Sequence, residues 1–214
     1  MHLQINYFDL GLHLGDEIQM FLDAVESLDA KVNVYGFEAH PDLANKVRNR
    51  YKNLSNVNIY NKAISNKTDS DGMIKLFIAN ANRMEGNSIY ATKHNVEPNN
   101  FVKSEAIKLS EWIKENLKDY KNSINVLRYN IEGAEVDLFQ DLISSEMYEH
   151  IHLFLGSRGG EDILKCSEIS HLHQGFLDTL RIYSINVHQF CSASINNIDA
   201  EQIRRKILSV NAIL

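Results

Sequence analysis

Asn6-Tyr7-Phe8-Asp9-Leu10-Gly11-Leu12-His13-Leu14-Gly15-Asp16-Glu17 joins a short apolar run, a glycine turn and the acidic start of a longer segment. Gln4 to Leu10 carries Ile, Tyr and Phe and stops at Gly11, which reads as a buried strand. From Asp16 the period changes. Ile18, Phe21, Leu22, Val25 and Leu28 form the 3.6-residue stripe of a helix, with Asp16 and Glu17 suited to its positive N-terminal end.

Outward from this strand-turn-helix unit, Val32 to Phe37 reads as a second strand. Pro41 opens a helix bearing Leu43, Val47 and Tyr51, and Val57 to Tyr60 makes a third strand. Alternation of this kind predicts an α/β fold, a mostly parallel, doubly wound sheet with helices on both faces. Met73 to Ile78 suggests another strand. Asn80 to Ser104 is polar and Asn-rich and holds Pro98, and it reads as an excursion with short strands that carries acceptor specificity. Ser110 to Leu117 predicts a helix with Ser110 as N-cap, followed by the strand Ile124 to Tyr129 and a helix bearing Val136, Phe139, Leu142 and Ile143. Ile151 to Leu155, a Gly156 to Gly160 turn, a mainly helical 161–183, Ile185 to Phe190 and a helix around Ile203 to Leu208 complete a single domain over 1–214.

Of 214 residues, 44% are hydrophobic and 23% charged, the profile of a soluble domain with a full core. Ten glycines and two prolines exclude a collagen-like or low-complexity chain, and two isolated cysteines, Cys166 and Cys191, exclude a disulfide scaffold. No apolar run approaches the roughly 18 residues of a membrane span, and MHLQINYF lacks a signal-peptide pattern, so the expected setting is cytoplasmic without membrane insertion. The net charge of −6 repels polyanions, which argues against nucleic acid as a partner. Oligomeric state is not legible.

The chemistry centres on the first turn, because open α/β sheets bind ligands at the carboxyl ends of their strands. A dinucleotide fingerprint needs G-x-G-x-x-G, whereas His13 occupies the second glycine position and the pattern is D-x-G-x-x-x-G. Asp9 at the strand end repels a pyrophosphate and favours a ligand carrying ammonium or sulfonium charge, such as S-adenosylmethionine. Glu38, closing the second strand, is placed to hold ribose hydroxyls.

YFDLGLHLGDE, VYGFEAHPDL, NIYNKAISNKT, IKLSEWIKE and INVLRYNIEGAEVDLFQDLI follow in order the motif series of FkbM-type S-adenosylmethionine-dependent methyltransferases, over about residues 5–145. The most specific element is Asn130-Ile131-Glu132-Gly133-Ala134-Glu135, which is similar to the family's D-x-E-G-x-E. The resemblance implies a class I, Rossmann-like methyltransferase fold and methyl transfer to oxygen, commonly on a sugar or polyketide hydroxyl. It further implies that Asp9, Gly11, Leu12 and Gly15 meet the methionine and ribose parts of the cofactor. Glu38 and Ala39 would meet the ribose hydroxyls, Lys62, Ala63 and Ile64 the adenine side, and Asn130 the reacting centre. Three departures stand out: His13 where Asn is common, Ala39 in place of proline, and Arg128-Tyr129-Asn130 in place of Lys-x-Asp. Asparagine positions groups but takes no proton at neutral pH.

For transfer to an alcohol, Glu132 and Glu135 are the carboxylate candidates for a base, Glu135 competing with a role at the helix start. Arg128 and Asn130 share one strand face and together suit a polar acceptor. His13 and His40 border the same turns, His13 as a candidate base and His40 as a candidate acceptor contact. Arg158 and Tyr90 are further acceptor candidates, Arg158 for an anionic group and Tyr90, with Phe101, for stacking on a sugar ring. The i, i+2 histidine pairs His150/His152 and His171/His173 lack the cysteine or carboxylate spacing of a zinc site, so no metal is expected. A sugar O-methyltransferase therefore leads. A nucleotide-cofactor oxidoreductase and a catalytically degenerate methyltransferase-fold binding module remain as alternatives.

Overall fold

Strands buried on both faces must be apolar nearly throughout, and Ile5 to Leu10 and Ile124 to Tyr129 are buried at every position. The computed structural model describes residues 3–80, 86–157, 159–192, 194 and 196–212. The chain begins with β1 (Leu3–Leu10), α1 (Asp16–Val25), β2 (Ala30–Phe37), α2 (Pro41–Arg50), β3 (Val57–Tyr60) and β4 (Ala63–Ile64). It continues with β5 (Met73–Ala79), β6 (Val96–Ile107), α3 (Leu109–Asn116), β7 (Ile124–Tyr129), α4 (Glu135–Ser144) and β8 (Leu153–Gly156). It ends with α5 (Glu161–Leu164), α6 (His173–Ile182), β9 (Val187–Gln189) and α7 (Ala200–Asn211).

The central sheet has the order β3-β2-β1-β7-β8-β9, and every pairing in it is parallel. One face packs Ile5, Tyr7 and Val126 under α1, α2 and α7, through Phe21, Val47 and Ile203. The other packs Phe8, Leu10 and Leu127 under α3, α4 and α6, through Trp112, Phe139 and Phe176. This is the doubly wound α/β fold that the alternation predicts, with a Rossmann-like arrangement of strands.

Two expectations are corrected. Ser110 lies inside the first turn of α3, whose N-cap is Lys108, because Asp141 of α4 accepts both the Ser110 N–H (2.9 Å) and its hydroxyl (2.5 Å). The second half of the 80–104 excursion is regular: β6 pairs antiparallel with β5 and, at Ala106 and Ile107, parallel with β4. Pro98 is tolerated there because it falls in a register irregularity, between the Phe77–Phe101 and Ala79–Val96 pairs, where β6 makes no ladder bond to β5, and β4 flanks only the last two residues of β6. Residues 81–85 of the excursion lie outside the described residues.

The chain builds β1, β2 and β3 outward on one side, then returns to place β7, β8 and β9 on the other. Between β1 and β7 the two halves diverge, so their loops part at the carboxyl ends of those strands and leave a crevice.

Candidate active site

That crevice is a cleft of about 260 Å³. Its floor is where the turns after β1 and β7 touch. The Asn130 N–H donates to the Leu10 carbonyl at 3.0 Å, and a Cβ on Gly11 would lie 2.1 Å from the Asn130 carbonyl oxygen. Gly11 also sits at φ +79°, so both conformation and space require glycine. Gly15, at φ +77°, serves a different purpose: Val47 and Tyr51 pack where its side chain would stand, and the Tyr51 hydroxyl donates to its carbonyl at 2.7 Å.

Glu38 lines the cleft at the end of β2. Its Oε2 accepts the His13 N–H at 2.9 Å and its Oε1 the His40 N–H at 2.8 Å, which fixes the carboxylate while leaving each oxygen a further lone pair. Burial raises its pKa, against the pull of those two N–H groups. Asn61 donates to the carbonyls of Glu38 and Ala39, each at 2.9 Å, and so sets the turn. Phe37, Leu43, Ala63 and Ile64 supply an apolar wall beside Glu38, and Lys62 lines the rim with its ammonium paired to Glu105 of β6.

Arg128 is 2% exposed and crosses from β7 beneath the cleft. Its Nη1 donates to Asp9 Oδ1 at 3.0 Å and to the Gly11 carbonyl at 2.8 Å, and its Nη2 lies 3.2 Å from Glu17 Oε1. Its buried Nε has no partner among the described residues. Glu17 in turn accepts the N–H and hydroxyl of Ser192, at 2.9 and 3.0 Å, and so holds the Cys191-Ser192 loop at the cleft. Burial works against ionisation of Glu17, yet Arg128 and the Ser192 donors hold its carboxyl below the usual range.

The opposite wall is the loop after β7. Glu132 adopts φ +59° and lines the cleft with Asn130 and Ile131. Two groups restrain it: the Ser88 hydroxyl donates to its carbonyl at 2.6 Å, and the Lys93 ammonium pairs with its carboxylate. Burial raises the Glu132 pKa, Lys93 opposing. Glu135 does not line the cleft. It accepts the N–H groups of Ile131 (3.1 Å) and Gly133 (2.7 Å) and holds the loop in shape, and burial pushes its carboxyl up to about 7.

The structure therefore brings Gly11, His13, Glu38, Ala39, Lys62, Ala63, Arg128, Asn130 and Glu132 to one cleft. Other candidates stand elsewhere. Asp9 is fully enclosed, bonded to Arg128 and the Tyr7 hydroxyl beneath the cleft, and burial pushes its carboxyl up to about 7 against the pull of Arg128. Leu12 is core, with its methyl carbons filling the space over Gly36. Gly15 contacts α2. His40 is buried as the N-cap of α2, its Nδ1 accepting the Asp42 N–H at 3.2 Å. Tyr90 is buried against Gly133 with the Lys67 ammonium over its ring, and no face is left for stacking. Phe101 packs edge-on against Phe77 under the Lys75 ammonium, outside the cleft. Arg158 lies outside the described residues.

Sequence reasoning missed Ser192, Asn87 and Lys93, which come from distant loops with no local pattern, and it read Glu17 only as a helix-start acid. Among the described residues no helix is long and apolar enough to cross a membrane.

A family model described as the methyltransferase FkbM domain matches residues 9–184. No match to the chain is found among curated proteins or among solved structures. The matched stretch runs from the end of β1 through α6 and takes in every cleft residue named above except Ser192 and Cys191. With most of its length inside that match and its loops assembled at the switch point of a parallel sheet, the chain belongs to the FkbM methyltransferase family.

Proposed function

We propose that the protein is an S-adenosylmethionine-dependent O-methyltransferase that acts on a sugar hydroxyl of a glycan or glycoconjugate, in the cytoplasm. The observation that carries this reading is Glu38. It is a carboxylate fixed through both oxygens by backbone N–H groups, beside an apolar wall and across one cleft from a second carboxylate, Glu132. The donor set suits the cofactor. Glu38 would accept from the ribose hydroxyls, and Phe37, Leu43, Ala63 and Ile64 would cover the adenine.

When bound, S-adenosylmethionine supplies a methyl group already activated on a sulfonium, which leaves the protein two tasks, alignment of the acceptor and removal of its proton. Alignment falls to groups with restrained geometry. Asn130 is held through its own backbone against β1, and its amide offers both a donor and an acceptor to a polyhydroxyl acceptor. We assign proton removal to Glu132 over His13, because Glu132 shares the wall of the cleft with Asn130, whereas the His13 N–H binds Glu38 on the ribose side and Asp9 and Glu135 do not line the cleft. Leu76 and Ile89 beside Asn87 offer the mixed apolar and amide surface that a sugar ring requires.

Calorimetry with S-adenosylmethionine and S-adenosylhomocysteine tests the cofactor. Micromolar binding is expected, weakened about 10- to 100-fold by Glu38→Ala, the cost of losing charge-assisted hydrogen bonds of roughly 1.5–3 kcal/mol. Folded protein that binds neither ligand overturns the proposal. A screen of sugar acceptors with labelled methyl donor tests the substrate class. Binding without transfer to any acceptor class, with Asn130→Asp equally inert, would identify a binding module instead.

A further inference from the structure

The excursion between β5 and β6 sends one ammonium into the protein, that of Lys93, and it meets the cleft from behind. Lys93 is 3% exposed. Its Nζ donates to the Gly86 carbonyl at 3.0 Å, pairs with Glu132, and stands 3.8 Å from Asp162 Oδ1 of α5. Burying an ammonium is costly unless it is paired and hydrogen-bonded, and here two carboxylates and a carbonyl meet that cost. The same segment holds the Glu132 backbone through Ser88, and Lys93 bridges to Cys166 just beyond α5. Glu132 itself is held at φ +59°, a conformation that a side chain adopts only when its surroundings impose it.

We infer that Lys93 is a positioning residue for methyl transfer: its buried ammonium, steadied by Asp162, fixes the place of the Glu132 carboxylate in the wall of the cleft and is the opposite charge that it faces. The inference rests on the reading of Glu132 as the group that takes the acceptor proton. That proton passes from the hydroxyl oxygen to a Glu132 carboxylate oxygen and returns to water after product leaves. The balance of charge around Glu132 decides whether it is ready to accept. Lys93 favours the ionised form, while Asp162 and burial favour the protonated one. Glu135 faces it from α4 and the Lys165 ammonium from the end of α5, with the Cys166 thiol behind Lys93. Lys165 itself pairs with Asp162 at 2.8 Å, which ties that carboxylate to the surface.

The test is a ¹³C-carboxyl NMR titration of glutamate-labelled protein, the Glu132 signal being assigned by its loss in Glu132→Gln. Lys93→Met should raise the Glu132 pKa by about 1–3, the usual effect of removing an opposite charge at contact, and Lys93→Arg should restore it towards the wild-type value. Asp162→Asn should move it in the opposite direction. Asp162 is partly exposed on a short helix, so this variant remains informative should Lys93→Met fail to fold. With an acceptor in hand, the acid limb of the pH-rate profile should move with each variant in the same order. A Glu132 signal that titrates identically in wild type, Asp162→Asn and Lys93→Arg, and in any folded Lys93→Met, overturns the inference. Failure of the methyltransferase reading would look different, since the NMR shifts would persist in a protein that binds no S-adenosylhomocysteine.

Discussion

At one register of the central sheet Asn33, Asn6 and Asn125 stand side by side, and three residues further along Asp9 stands opposite Arg128. The two rows place polar groups across the same strands and differ in everything else. The asparagines are neutral. Asn33 donates to Asn6 at 3.3 Å, Asn6 to Asn125 at 3.0 Å, and Asn125 to the carbonyls of Tyr120 and His150 at 2.7 and 2.8 Å. The row above is ionic, links Asp9, Arg128 and Glu17, and leaves Arg128 Nε without a partner among the described residues. Amide groups in register fix which residue faces which, since a one-residue slip would separate the buried Asn6 and Asn125 amides from each other. A buried ionic row gives less stability for its cost and is retained where its charge is used. Here it anchors Gly11, the Cys191-Ser192 loop and the floor of the cleft.

Removing Arg128 breaks this contrast most severely. Arg128→Met leaves Asp9 and Glu17 buried without a counter-ion, and the expected cost is about 3–5 kcal/mol. For a domain of this size that lowers the melting temperature by roughly 10 °C. Adding Asp9→Asn should recover part of the loss by removing one orphaned charge. Urea denaturation of the single and double variants measures both. Recovery that never appears would mean that Arg128 acts through packing alone.

Glu135 sharpens the comparison through pH. Its carboxyl holds a proton in the native state up to about 7, against an ordinary value of 4.5, because burial disfavours its charge. The native state therefore binds more protons than the unfolded chain across that window. This contribution is complete below pH 4.5 and is lost as pH rises through 7, by roughly 3 kcal/mol at ~1.4 kcal/mol per tenfold change in proton affinity. Glu135→Gln should remove this slope from the stability profile between pH 4.5 and 7. An unchanged slope would assign the pH dependence to Asp9 or Glu38 instead.

The difference between the two rows also explains how far the sequence was readable. The alternation of strand and helix is written locally, in spacings of two and of 3.6, and so the β-α-β order and the cleft-lining Gly11, Glu38 and Glu132 are legible from it. Asp9 is legible as a charged strand end but not as an internal partner, because Arg128 lies 119 residues away. Lys93 carries no signal at all, sitting in a polar excursion and finding Glu132 39 residues later. The strand β6 is hidden for a related reason: Glu97 to Phe101 is exposed throughout, so no apolar alternation marks it. Tyr90, chosen as an aromatic in that excursion, turns inward because the turn at Gly133 opens a space for its ring.

The amide row gives the smallest expected effect and the cleanest control. Asn6→Ala removes the donor to Asn125 Oδ1 and the acceptor from Asn33. Asn33 is partly exposed and recovers a partner from water, whereas the buried Asn125 oxygen does not, so the expected loss is about 1–2 kcal/mol. Asn125 still donates to Tyr120 and His150, which keeps its side chain in place. Asn6 precedes Asp9 by three strand residues, roughly 10 Å at 3.3 Å per residue, and shares no partner with the ionic row. Perturbations at such separation add independently, so S-adenosylhomocysteine affinity should stay within about twofold of wild type. A larger loss of affinity would mean that the amide row reaches the cleft through β1 itself, and the division of the strand into a structural and a functional half would fail.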